Sequence, residues 1–243
     1  MLVAAAVCPC PPLLVPEVAA GAAAELDAVR EACADALGVL AASRPDLLVV
    51  IGPAGQDGRG THPQGARGSF AGFGVDLEVR LGAETGTGPG ADGAAQERTL
   101  PVSLSVAAWL LGRTDWAGAP VEGLGGEPLA AARCAEAGRE IAKRADRVAL
   151  LVMGDGSACR TLKAPGYLDE RAEGFDAAAV RALGTADTAA LLALDEDLAY
   201  ALKAAGRAPW QVLAGAGEGT GLGGQLLYEG APYGVGYFVA AWS

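Results

Sequence analysis

Histidine is almost missing from this 243-residue chain: His62 is the only one, which excludes any centre built from several imidazoles. Aromatic residues make up just 5%, so large rings cannot fill the interior, and close backbone packing through alanine and glycine must do so instead. Basic residues are also short, 18 Lys and Arg against 29 Asp and Glu, for a net charge of −11. That balance excludes nucleic acid as a partner, because phosphate binding needs clustered cations that release counterions, and it disfavours an anionic membrane surface. The densest basic group, Arg139, Lys143, Arg144 and Arg147, is interleaved with Glu140 and Asp146 and reads as a solvated helix end. The five cysteines, Cys8, Cys10, Cys33, Cys134 and Cys159, are odd in number and have no framework spacing, which points to reduced thiols in a cytoplasm. No long apolar run opens the chain. Met1 to Val7 lacks a preceding basic region and meets Pro9, Pro11 and Pro12, too soon for a signal peptide or a membrane span.

What is present is a well-covered core: 51% of residues are hydrophobic and only 19% charged, and 243 residues suffice for one large domain. Strand and helix patterns alternate, with no linker and no repeat. The expectation is therefore a single domain over residues 1–243, α/β in class, three α/β/α layers around a mostly buried mixed sheet. Buried strands are expected at Leu2 to Cys8, Asp46 to Ile51 and Val148 to Met153, and a further strand at Val75 to Leu81. The spacing of Leu26, Val29, Cys33, Leu37 and Leu40 predicts a helix over 22–43. Other helices are expected at 103–111, 128–144, 169–183 and 188–205, a mobile Gly-rich loop at 82–95, and two paired strands over 225–241, broken at 230–232.

In open α/β sheets, ligands bind beyond the carboxyl ends of the strands. Those ends carry Cys8-Pro9-Cys10, Gly52-Pro53-Ala54 and Asp155 to Cys159. Three stretches there, in order, resemble the LigB-like family, the catalytic subunits of class III extradiol ring-cleavage dioxygenases, with its Memo branch. They are Cys8 to Val18 (CPCPPLLVPEV), Gly154 to Asp176 (GDGSACRTLKAPGYLDERAEGFD) and Tyr228 to Tyr237 (YEGAPYGVGY). The resemblance implies an Fe(II) site of two histidines and one glutamate, with a further histidine as acid/base. Carried over residue by residue, the first ligand position is Cys10, the second Ala54, the acid/base position Ala158, and another branch histidine falls on Arg98; only the glutamate, Glu229, matches. Alanine can neither bind a metal nor move a proton. The resemblance thus implies a pseudoenzyme: the pocket is kept, lined by Cys10, Ala54, Arg98, Asp155, Ser157, Ala158, Cys159 and Glu229, and the iron is not. Arg98 is expected to pair with Glu229 or with an acidic ligand, because a buried bare carboxylate costs several kcal/mol.

Alternatives stay open. If a metal binds, Cys10 and Glu229 are its candidates, with Zn or Cu replacing iron; an active metal-dependent dioxygenase would use them with His62. His62 itself, in a loop beside Pro63, is expected to be exposed and inert. Cys10 and Cys159 should converge, as a soft metal site or as a thiol of lowered pKa beside Arg98 or Arg160, against the plainer reading that all five cysteines are small buried hydrophobes. The backbone of Gly154-Asp155-Gly156-Ser157 could cradle an anion. Gly219 to Gly224 (GTGLGG) precedes a strand and reads as a turn, not a dinucleotide fingerprint. Asp195-Glu196-Asp197 reads as a solvated helix face. The expected partner is a small aromatic or acidic molecule, a homodimer is compatible with the sequence, and the Memo branch adds a protein-interaction scaffold as a further reading.

Overall fold

A computed structural model describes residues 1–83, 99–114, 116 and 118–243. Its centre is four parallel strands: β1 (Leu2–Cys8), β2 (Leu47–Pro53), β6 (Val121–Gly126) and β7 (Val148–Met153). Antiparallel strands extend both edges. On one side is β3 (Gly60–His62); on the other are β9 (Tyr237–Trp242) and β8 (Gly224–Gly230), giving the order β3-β6-β2-β7-β1-β9-β8. A separate ribbon pairs β4 (Arg67–Ser69) with β5 (Glu78–Arg80).

The sheet has two dry faces, as nearly continuous apolar runs require. Ala4, Ala6, Cys8, Leu48, Val50, Leu151 and Met153 point to one core, shared with α2 (Asp27–Ala42) and α3 (Val102–Gly112). Ala5, Val7, Val49, Ile51, Leu150 and Val152 point to the other. That core is closed by α4 (Ala131–Ala142), α5 (Arg171–Gly184), α6 (Thr188–Leu192) and α8 (Arg207–Gly217), with Ala199 from α7 (Glu196–Ala201). A one-turn helix, α1 (Pro16–Ala19), follows β1. The result is a three-layer α/β/α fold around a mixed, mostly parallel sheet. No described helix is long and apolar enough to cross a membrane.

Several expectations need correction. The helix expected over 188–205 is broken in two because Asp187 and Asp195 each act as an N-cap, accepting from Ala190 N (2.9 Å) and Leu198 N (2.7 Å). The acidic run is therefore not just a solvated face, and Glu196 also caps α4 by accepting from Ala131 N at 2.7 Å. The strand expected at 75–81 shrinks to Glu78–Arg80. Among the elements not foreseen, which include β3 and β4, two are instructive. β6 carries Gly123, Gly125 and Gly126; a Cβ on Gly125 would sit 2.0 Å from the Gly58 carbonyl oxygen, so the sequence that fits this edge has low strand propensity. All eleven residues of α8 are buried, so it shows no polar face for periodicity to reveal. Most of the expected mobile loop, from residue 84 on, lies outside the described residues.

Candidate functional site

The carboxyl ends of β1, β2, β6 and β7 meet at one edge of the sheet, where three separate environments replace the single pocket expected. The first surrounds Cys10 and Asp155. After β1 the chain continues through Pro9, and Cys10 N–H donates to Asp155 Oδ1 at 2.8 Å, just past β7. Burial raises the Asp155 carboxyl to about 6, partly offset by that hydrogen bond. Tyr237, the first residue of β9, is buried and held well above its ordinary pKa by burial and by the neighbouring Asp155. The Cys10 thiol is pushed up by burial, then by Asp155 and Cys8. A thiol raised in this way is not a ready nucleophile at neutral pH.

The second environment is the connection from β7 to α5. The buried Asp176 on α5 accepts from Ser157 N (2.8 Å), Ser157 Oγ (2.7 Å) and Arg160 Nη1 (3.1 Å). Burial raises the Asp176 carboxyl even so. Gly156 N donates to Gly236 O at 2.7 Å and Gly236 N returns to Ser157 O at 2.8 Å, which ties the loop to the start of β9. This corrects the anion-cradle reading. Three of the four amides in Gly154-Asp155-Gly156-Ser157, those of Gly154, Gly156 and Ser157, already donate to Cys8 O, Gly236 O and Asp176 Oδ1.

The third is a cavity of about 730 Å³ beyond β2 and β6, roofed by α7, the start of α8 and the turn between them. Ala54 lines it with Pro53, Pro128, Ala199, Ala204 and Ala208. The turn is held against the sheet edge because two glycines touch: a Cβ on Gly154 would lie 2.4 Å from the Gly206 Cα, and Gly206 N donates to Asp155 O at 2.8 Å.

The expected residues are accordingly divided. Cys10 and Asp155 are together; Ala54 opens into the cavity. Ser157 faces Asp176, and Ala158 and Cys159 are buried against Leu202, whose carbonyl accepts from Ala158 N and, at 3.5 Å, from Cys159 Sγ. Cys10 and Cys159 do not converge, since they belong to cores on opposite faces of the sheet. Burial and then Asp169 raise the Cys159 thiol instead of lowering it. All five cysteines are buried and free. Glu229 needs no partner: it is exposed on the edge strand β8, paired in register with Phe238. Arg98 lies outside the described residues. His62 is not exposed but 1% accessible, on β3 opposite Gly123, with Nε2 against Gly58 O at 2.9 Å and an enclosed Nδ1 without a hydrogen bond. The Fe(II) group that the resemblance implies does not fit these donors: Ala54 and Ala158 offer no ligand atom, and Glu229 is exposed on the edge strand β8. Among the described residues no three His, Cys, Asp or Glu are grouped to hold a metal.

Sequence reasoning missed Arg207, which lines the cavity, and the pairing of Asp176 with Ser157. The first had no signal, because the helix that carries it was itself illegible. For the second, the resemblance named both stretches without linking them.

No family model matches the chain, and no curated protein matches it. Among solved structures it is similar to the uncharacterized protein JW3007 from Escherichia coli K12, with a TM-score of 0.57, 16% identity and 99% of each chain covered. At that identity the likeness carries the fold.

Proposed function

We propose that this chain is a LigB-like protein that has lost the iron chemistry of ring cleavage and binds a small, largely apolar organic molecule at the carboxyl edge of its sheet. One observation carries the reading. The cavity of about 730 Å³ opens at the end of β2, where the resemblance calls for a metal-binding histidine and the chain has Ala54. Its volume lies within the range of ligand sites, and its wall combines alanine and proline with the charged groups of Glu127, Glu196, Asp197, Lys203 and Arg207. The five unpaired cysteines support a reducing, cytoplasmic setting.

The test is thermal unfolding with a panel of small aromatic acids and amides. A ligand at one hundred times its Kd adds about 2.7 kcal/mol to stability, which raises Tm by several degrees in a chain of this size. Ala205, exposed at the rim of the cavity, supplies the control: Ala205→Trp plugs the entrance and removes the shift. No shift with any compound, or shifts that survive the plug, would count against the cavity.

A scaffold reading has one observation in its favour. Leu162, Tyr167 and Leu168, within one connection, are 63%, 63% and 43% exposed, and large exposed apolar side chains of this kind are what partner proteins cover.

A further inference from the structure

Arg207 is the first residue of α8 and is only 6% exposed, yet it lines the cavity. Both hydrogen bonds it makes use one nitrogen: Nη1 donates to Leu129 O and, at 2.9 Å, to Gln211 Oε1. Both acceptors are neutral. Gln211 is fixed in turn by donating through Nε2 to the carbonyls of Leu191 and Leu194, each at 3.2 Å. Arg207 Nε and Nη2 have no hydrogen-bond partner among the described residues, and neither is a fully enclosed donor. Arg207 thus lines the cavity with one edge of its nearly buried guanidinium left without a partner.

A buried cation without a counter-ion is an unfinished arrangement, because desolvation of the charge is offset only by two neutral oxygens. Three carboxylates share the lining of the cavity, and two of them are engaged. Glu127 pairs with Arg59 at 3.2 Å, Glu196 accepts from Ala131 N at 2.7 Å, and Asp197 is exposed. Lys203, exposed at the rim, adds a second cation. The first turn of α8 contributes a positive partial charge on the same side, with no side-chain cap at Gly206. Guanidinium presents parallel donors that match the two oxygens of a carboxylate.

We propose that the natural ligand of this cavity is a small monocarboxylic acid with an apolar body, its carboxylate held by Nε and Nη2 of Arg207 and its body against the alanine and proline walls. This rests on the cavity being a ligand site, and it adds the chemical class of the ligand and the residue that selects it.

The experiment measures binding by calorimetry for three acid and amide pairs: benzoate and benzamide, phenylacetate and phenylacetamide, cinnamate and cinnamamide. Wild-type protein is expected to bind at least one acid tenfold or more tighter than its amide, and Arg207→Met to erase that preference while still binding the amide. Arg207→Lys, which keeps the charge but loses the fork, should retain only part of it. Equal affinity of every acid and its amide for the wild type would overturn the role of Arg207 and leave the cavity reading intact; binding of none of the six compounds would overturn both. If Arg207→Met does not fold, Arg207→Lys carries the test: an acid preference as large as that of the wild type would assign the carboxylate to Lys203 and overturn the role of Arg207.

Discussion

Replacing Asp176 with alanine is expected to lower the stability of the fold by about 3 kcal/mol. The side chain is fully buried and answers three donors at once: the amide and hydroxyl of Ser157 and the guanidinium of Arg160. Removing it strands two buried donors on Ser157. Arg160 is 24% exposed, so water takes up part of its loss, which keeps the cost at the lower end for a broken buried pair. Two glycines hem the carboxylate in: a Cβ would come within 2.9 Å of Oδ1 from Gly156 and within 2.8 Å of Oδ2 from Gly236. No larger residue can fill that space. Asp176→Asn keeps an acceptor for Ser157 N–H and should lose roughly half as much. Urea unfolding followed by the fluorescence of the buried Trp210 and Trp242 measures both variants; near-equal, small effects would show that the network is not what holds the β7 to α5 connection.

Asp155→Asn is expected to stabilise the protein at neutral pH, by an amount that vanishes in acid. The Asp155 carboxyl titrates at about 6 in the folded chain against an ordinary value of 3.8. Between about pH 4 and 6 the native state thus holds the extra proton, and unfolding free energy falls as pH rises through that window. The contribution is intact below about pH 4 and lost above about 6. A shift of this size corresponds to at most about 3 kcal/mol, and the partly exposed position of Asp155 brings it below that limit through water screening. Asparagine cannot ionise, and its oxygen can still accept from Cys10 N–H. Stability curves of both proteins from pH 4 to 8 should coincide at the acid end and diverge toward pH 8, with the variant above. Parallel curves would contradict the burial of charge at this point.

The sequence exposed the apolar strands and the amphipathic helix and concealed the glycine-rich strand and the wholly buried helix, for reasons that lie in the residues. β1 and β7 are short apolar runs bounded by proline and glycine, and the expected bounds match the observed ones. α2 carries Val29, Cys33, Leu37 and Leu40 on one buried face, a spacing that only a helix explains. β6 and α8 obey other constraints. Glycines let β6 take a close backbone neighbour at Gly58, and a Cβ on Gly138 of α4 would lie 2.0 Å from the Val212 carbonyl of α8, so the partners of that contact read as breakers. Site residues followed the same division. Ala54 was found at the mouth of a cavity, and Asp155 and Cys10 were found together. Glu229 was expected in the pocket and is instead exposed on β8, because alternation along a strand does not reveal whether that strand is an edge with one face open to water. His62 was misjudged because proline beside it suggested a loop, whereas antiparallel pairing with β6 buries it.

The claim on which this account turns is that the sheet's carboxyl edge is a ligand cavity and not an iron centre. Anaerobic loading of the purified protein with Fe(II), followed by metal analysis and oxygen uptake in the presence of catechol and protocatechuate, tests it most directly. The account predicts no stoichiometric iron after desalting and no oxygen consumption above buffer. One iron per chain, lost in Glu229→Ala together with catechol-dependent oxygen uptake, would contradict it.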